Sequence, residues 1–507
     1  MEKRVHSLVE YISLLRDNGI LSEYNADSAA LEKAVRYISF DSTDVKKYTL
    51  FICKGNHFSP NYLKDAVSKG AFVYVSEQSY QSVAPDTPSI IVSDIRKAMA
   101  YIADFYYNQV WKQLYLTGLT GTKGKSTTTY FVKTILDDYL KSCRKPKSAI
   151  ISGIDNYDGV INEESHLTTP EALSLHRHFN NAVSSNIDYL TMEVSSQALK
   201  YDRTLGITFD VGCFLNMGED HISEIEHSDF NDYLHSKLLL FKQCKVACVN
   251  LNSDCIEEIL AMARANTPRV ITFGLTPQAD IYGYNIIVNR NDITFNVKSD
   301  SFDRAFKITM HGLFNVQNAL AAISICYALN IPLEYIASGL KKARVSGRME
   351  IYTSKDRNLN VIVDYAHNKM SFESLFSSMQ KEFPGKKISI VFGCPGKKAF
   401  GRRRELGEIA GKYSNKVFIT EEDAGEEPLM KICEEIAGHV KKQNCDCEII
   451  VDREKAIKQA IETADDETIV LITGKGRETR QKRGQRYVAT RSDVDMVKDI
   501  LTVEVIE

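Results

Sequence analysis

The sequence predicts an α/β protein of three consecutive blocks, the central one a P-loop nucleotide-binding domain and the last a Rossmann-like domain. The first observation is the stretch LTGLTGTKGKSTT at 116–128, which follows an apolar run and opens an amphipathic segment at 130–140. Strand, glycine-containing loop and helix therefore follow in that order. The second is the alternation of short apolar runs with helix-period segments from Gln113 to about residue 340, as expected of a mostly parallel sheet flanked by helices. The third is that the alternation resumes beyond the polar stretch 341–350, with strands expected at 361–364, 388–393, 416–420, 448–452 and 469–473.

Composition bounds the class. With 507 residues, 44% apolar and 25% charged, the chain is long enough for about two to four domains with their own cores. A net charge of -3 gives no reason to expect a nucleic-acid partner. The eleven cysteines form no C-x-x-C pair, and Cys53, Cys213, Cys248, Cys326 and Cys394 lie in apolar runs. That usage predicts reduced, mostly buried thiols rather than a zinc ribbon or a disulfide framework. No apolar run has the length of a membrane span, and the expected compartment is the cytoplasm.

Along the first block, 1–109, Val5, Leu8, Val9, Ile12 and Leu15 share one helical face, which predicts a structural helix rather than a targeting segment. Strands at 35–40, 49–53, 72–75 and 89–92 and helices at 61–68 and 96–107 complete a compact α/β module.

In the central block, 110–343, the loop from Gly121 through Thr122, Lys123 and Gly124 lets backbone N–H groups face an anion, and the following helix N-terminus adds positive potential. Lys125 and Ser126 supply an ammonium and a magnesium-facing hydroxyl, and Thr127 follows them. The spacing Gly118, Gly121, Gly124 departs from strict G-x-x-x-x-G-K-S, because Leu119 stands where its first glycine would be. Two predicted strands end in polar residues, one at Glu193 and Ser195, the other at Asn216 followed by Asp220 and His221. Glu193 and His221 are candidates for ligands of Mg²⁺, for water-mediated neighbours of it, or for capping groups. Further strands are expected at 246–250 and 270–273 and a helix at 316–329, whose start at Asn315 and Asn318 offers amides to cap a helix or read a base.

The third block, 344–507, has glycine-containing strand ends at 392–398 (FGCPGKK) and 473–478 (TGKGRE). Of three basic patches, 141–147 reads as solvated surface, whereas 402–404 and 477–486 sit beside glycines and can meet phosphates or carboxylates.

Together these motifs resemble the Mur ligase family, and within it the MurE-type tripeptide synthetases, over essentially the whole chain. The carriers are TGTKGKSTT at 120–128, TTPE at 168–171, MEVSSQAL at 192–199 with Arg203, Asn216 with Asp220 and His221, HSK at 235–237, NVQN at 315–318, GRME at 347–350 and VDYAH at 363–367. The resemblance implies three domains, for a UDP-sugar, for ATP and for an incoming amino acid. It also implies a reaction in which ATP phosphorylates the free carboxylate of UDP-MurNAc-L-Ala-D-Glu and an amino acid's amine attacks the acyl phosphate. It assigns Lys125, Glu193, His221 and Lys237 to catalysis, with Ser126, Glu193, His221 and a carbamylated Lys237 around Mg²⁺. Asn315, Arg348 and Asp364 would embrace ATP, and Ser42, Thr168, Thr169, Ser195, Tyr201 and Arg203 would hold the UDP-muramoyl dipeptide. Lys398, Glu422, Asp423, Gly474 and Glu478 would meet the amino acid in a monomeric enzyme.

Departures from the pattern bear on the substrate. Members that add meso-diaminopimelate carry Asp-Asn-Pro-Arg and an upstream Gly-Asp-Arg, and here those regions read EEDAGEEP at 421–428 and GKK at 396–398. Without that arginine fork, the acidic run is expected to attract a side-chain ammonium, pointing to L-lysine or another basic amino acid; an acidic cap on the following helix is the alternative. Another ligase of the superfamily, such as MurF or folylpolyglutamate synthase, and a catalytically reduced nucleotide-binding scaffold remain as competing readings.

Overall fold

Each block's short apolar runs pair into a sheet around parallel strands, with the helix-period segments on its faces. The computed structural model describes residues 4–55, 58–218, 226–354, 357–397 and 400–501. The first sheet runs Leu21–Asn25, Ser89–Val92, Ala71–Ser76, Thr49–Ile52, Tyr37–Ser39, parallel except for its first pair. The N-terminal helix spans Leu8–Asp17, opened by a capping box between Ser7 and Glu10. Leu8, Ile12 and Leu15 are buried as predicted and Tyr11 joins them, but Val5 and Val9 are 51% and 37% exposed. The cap explains this, since the helix starts after Val5 and turns Val9 off the packed face.

The second sheet has eleven strands among the described residues. Its parallel centre runs Arg269–Gly274, Cys244–Asn250, Phe209–Phe214, Tyr115–Thr120, Tyr189–Glu193, Ala149–Ile151. Ile281–Val288 continues this run in parallel beside Arg269–Gly274, and antiparallel strands then extend both edges, Ile293–Lys298 and Asp303–Ile308 on one side and Asp155–Tyr157 and Asn162–Glu164 on the other. The expectation of a mostly parallel sheet holds for the centre. The edge hairpins were not anticipated because they are short and bury alternate residues at most. The helix Lys125–Ser142 packs Phe131, Ile135 and Leu136 into a core shared with Leu320 and Ile323 of the helix Phe314–Ala328.

The third sheet runs Glu350–Thr353, Asn360–Asp364, Thr468–Thr473, Lys387–Phe392, Lys416–Ile419, Asp446–Ile449, parallel but for its first pair. Each predicted strand of this block is present, shifted by up to three residues. A two-stranded ribbon, Arg480–Arg483 with Arg486–Ala489, projects from it. Ion pairing between Lys54 and Glu171, and Arg96 lying 3.9 Å from the ring centre of Tyr201, tie the first sheet's unit to the second. Glu382 ties the third to the second: its carboxylate accepts from Gly312 N at 3.0 and 3.1 Å and bonds His311 Nδ1 at 2.9 Å. Cys53, Cys213, Cys248, Cys326 and Cys394 are buried and free, in line with the expectation. No helix among the described residues is long and apolar enough to cross a membrane.

Candidate functional site

The phosphate loop leaves an inner parallel strand of the second sheet, Tyr115–Thr120, and enters the helix Lys125–Ser142. Gly121 and Gly124 take φ of +149° and +81°, and the second lies in the left-handed region that favours glycine. A Cβ on Gly124 would stand 2.2 Å from Asn318 Oδ1, so the loop also needs glycine for close approach. Asn216 brackets the loop, accepting from Lys123 N at 2.8 Å and donating to Lys123 O at 3.0 Å. Thr122 and Thr127 are buried. Lys125 Nζ donates to Gly121 O at 2.9 Å and to Thr122 O at 3.3 Å, which holds its ammonium over the loop's backbone.

Lys237, 1% exposed, points its Nζ at the same Gly121 carbonyl at 3.0 Å and lies 4.4 Å from the ring centre of Tyr233. Glu193, at the end of the neighbouring strand, is 2% exposed and accepts from Gly153 N at 2.7 Å. The position a Cβ on Gly153 would take lies 3.6 Å from Glu193 Oε1, 3.6 Å from Thr168 Oγ1 and 3.8 Å from Ser126 Oγ. Three oxygens thus converge on one glycine-lined cradle, a donor set that suits a hard cation such as Mg²⁺. His221, with Asp220, lies outside the described residues.

Asn315 is buried, donating to His311 O at 2.6 Å and accepting from Asn318 Nδ2 at 2.9 Å, which orients the Asn318 amide against Gly124. Asp364 ends the strand Asn360–Asp364 and accepts from Met349 N and Ala366 N at 2.9 and 2.8 Å. Burial raises its carboxyl above the usual range despite the nearby Arg348. Arg348 lies 4.1 Å from the ring centre of Tyr365 and lines a cleft of about 470 Å³ with Gly153, Thr168, Lys475 and Glu478.

The residues expected to hold the muramoyl dipeptide divide. Thr169 Oγ1 donates to Glu193 O at 3.0 Å, Ser195 N donates to Thr169 Oγ1 at 3.0 Å, and Arg203 Nη1 donates to Thr169 O at 3.0 Å, so these form one group beside the cleft. Tyr201 lies under Arg96. Ser42 stands on the first sheet's unit, its carbonyl accepting from Lys69 Nζ at 2.9 Å.

At the amino-acid end, Lys398 lies outside the described residues. Glu478 accepts from Tyr365 OH at 2.5 Å through Oε1 and pairs with Lys475 Nζ at 2.5 Å through Oε2. Lys475 Nζ also reaches Asp423 Oδ1 at 3.2 Å. Gly474 has φ +107°, and a Cβ there would stand 2.2 Å from Glu422 Oε2. Glu422 is buried, its Oε2 lacks a hydrogen-bond partner among the described residues, and desolvation pushes its carboxyl up to about 7.

The acidic run is therefore not a bare anionic patch. Glu421 pairs with Arg483, Asp423 with Lys475, Glu426 with Lys397 and Glu427 with Arg403. The basic patches supply some of the partners. Arg403 is 1% exposed and bound to Glu427, Glu435 and Pro395 O, which makes it a structural cation. Sequence reasoning missed Tyr365 and Lys475 as lining residues, although both lie inside motifs it singled out. It also missed the hairpin contact, in which Thr479 bonds Glu164 and Arg480 Nη2 donates to Ser165 O at 3.2 Å.

Comparisons with known proteins bear on the family and the fold. Residues 119–326 match the Mur ligase middle domain and 347–476 match the Mur ligase, glutamate ligase domain. The UDP-N-acetylmuramyl-tripeptide synthetase of Lactobacillus delbrueckii subsp. bulgaricus is 35% identical over 500 residues, covering 94% of this chain and 95% of its own. The UDP-N-acetylmuramoyl-L-alanyl-D-glutamate--L-lysine ligase of Enterococcus faecalis is 36% identical over 460 residues, covering 89% and 88%. Among solved structures, a UDP-N-acetylmuramoyl-L-alanyl-D-glutamate--2,6-diaminopimelate ligase superposes with a TM-score of 0.67 over 98% of this chain and 99% of that one, at 24% identity, a likeness of fold.

Proposed function

The chain belongs to the Mur ligase family of ATP-dependent amide ligases, and on that premise we propose that it adds L-lysine, or another basic amino acid, to UDP-MurNAc-L-Ala-D-Glu in peptidoglycan synthesis. The observation that carries the reading is the convergence of Lys125 and Lys237 on Gly121 O, and of Glu193 and Ser126 on Gly153, beside a cleft that Gly153 and Glu478 both line. The names of the full-length relatives in Lactobacillus and Enterococcus support the substrate class.

In this reading the loop's N–H groups and Lys125 grip the phosphates of ATP, while Asn315, Arg348 and Asp364 embrace its adenine, phosphates and ribose. Phosphoryl transfer between two anions is a problem of positioning and charge, and these residues answer it with fixed donors. Ser126, Glu193 and Thr168 would hold Mg²⁺, with His221 beside them, and the ion would neutralise charge on the transferred phosphoryl group. Lys237 is the amine to be carbamylated, which would turn a buried cation into an anion facing that site. Thr169, Ser195, Tyr201, Arg203 and Ser42 would hold the UDP-muramoyl dipeptide with its free carboxylate toward the phosphates. Glu478 and Asp423 would orient the amino acid, with Gly474 giving it room, so that its α-amine attacks the acyl phosphate. The three sheets would correspond to domains at 1–109, 110–343 and 344–507 in a cytoplasmic monomer.

Phosphate release from ATP with UDP-MurNAc-L-Ala-D-Glu and each of L-lysine, L-ornithine and meso-diaminopimelate, with the product weighed by mass spectrometry, tests the reading. Release that depends on a basic amino acid and yields the tripeptide supports it. Release with none of the three refutes it.

A further inference from the structure

Beside the cleft lies a second cavity of about 210 Å³, and the two share Lys475 and Glu478 as a common wall. Three guanidinium groups line it, and each is matched by an internal carboxylate. Arg453 pairs with Asp493, Arg491 with Glu454 and Asp499, and Arg483 with Glu421. The first pair is buried on both sides, with side-chain exposures of 6% and 1%, and belongs to the scaffold. The third differs: Glu421 is 12% exposed and fixed in the loop, whereas Arg483 is 56% exposed and closes on it from the ribbon. The grip is two-pronged, Nε donating to Oε2 at 3.1 Å and Nη2 to Oε1 at 2.5 Å. That is the geometry with which a guanidinium would hold a substrate's carboxylate. The ribbon is held in place independently, by Gly425 N on Lys482 O at 3.1 Å, Gly484 N on Gly425 O at 2.7 Å and Lys482 N on Asp423 Oδ1 at 2.8 Å.

We propose that the Glu421–Arg483 pair determines amino-acid specificity: Glu421 occupies the guanidinium that would otherwise grip a distal carboxylate, so the cavity favours a side chain ending in a cation. This rests on the ligase reading above and deepens it. It explains how an acidic run already matched with internal cations still selects, because the run withholds an arginine rather than offering a bare negative charge.

The test is kcat/KM for L-lysine and for meso-diaminopimelate, with ATP and UDP-MurNAc-L-Ala-D-Glu, in the wild type, Glu421→Gln and Arg483→Met. Glu421→Gln releases the guanidinium and should raise the diaminopimelate-to-lysine ratio roughly tenfold or more, through KM rather than kcat. Arg483→Met frees the carboxylate for an ammonium and should lower the KM for L-lysine several-fold, moving the ratio the other way. Opposite shifts support the proposal, and an unchanged ratio in both variants, or shifts of one sign, overturns it. Should Glu421→Gln fail to fold, the exposed Arg483 position decides alone, an unchanged or raised KM for L-lysine overturning the proposal. A folded wild type that adds neither amino acid overturns the ligase reading itself, and this inference with it.

Discussion

Glu422 sits in the acidic loop with its carboxyl against Gly474 and its Oε2 unmatched, and burial pushes it up to about 7 from an ordinary 4.5. A carboxyl that holds its proton more tightly folded than unfolded stabilises the fold below about pH 4.5 and gives that stability up as pH rises toward 7. The slope is about 1.4 kcal/mol per pH unit across that window. Glu422→Gln should remove the slope, so urea unfolding at pH 5 and pH 7 should favour the variant progressively toward neutrality. Parallel curves would mean that Glu422 is ionised in the fold. Gly124 invites a second test at this scale. Its φ of +81° and the 2.2 Å approach to Asn318 Oδ1 leave no room for a methyl group. Gly124→Ala should therefore weaken ATP binding by about tenfold or more in a nucleotide titration while leaving the melting temperature within a few degrees, since the strain of about 1–3 kcal/mol falls on the loop.

Elements in this protein are joined by buried charge as well as by apolar faces. Arg453, in the first turn of the helix Arg453–Thr463, donates to Asp493 at 2.7 and 2.8 Å and to Thr473 O at 2.7 Å, and thereby pins that helix to the end of a central strand and to the helix Asp493–Leu501. Removing one partner leaves the other buried and uncompensated. Arg453→Met should cost about 3–5 kcal/mol in urea unfolding, and a loss below about 1 kcal/mol would show that Asp493 finds water or another cation. This helix was legible in the sequence as a period between two apolar runs. Its anchor was not, because Arg453 and Asp493 stand 40 residues apart.

The whole molecule closes around its cleft by a contact between sheets. Thr479 and Arg480, at the base of the ribbon, meet Glu164, Ser165 and His166 beside the edge strand Asn162–Glu164. The contact sits next to Glu478, and both line the same cleft. Arg480→Ala combined with Glu164→Ala should raise the KM for the amino acid several-fold and enlarge the radius of gyration in small-angle scattering of the unliganded protein. An unchanged scattering profile and KM would assign the contact no part in closure.

Short-range physics made much of this readable. The phosphate loop is a local sequence of glycines, Lys125 and Ser126, and the period of 2 or 3.6 in apolar residues marks strands and helices without reference to distant partners. The three blocks, the central strands of each sheet and the loop's neighbours Glu193 and Asn315 follow from such signals, whereas Lys237 follows only from the family resemblance. Charge matching did not follow, because it joins residues that are near only after folding. Glu421 meets Arg483 across 62 positions and Asp423 meets Lys475 across 52. The sequence determined that the loop at 421–427 is acidic and lies at a strand end, while the tertiary structure alone decided that Glu421, Asp423, Glu426 and Glu427 pair with internal cations and that Glu422, among the described residues, does not. A carboxylate's field depends on what lies within a few ångströms, and only the packed sheets set that distance.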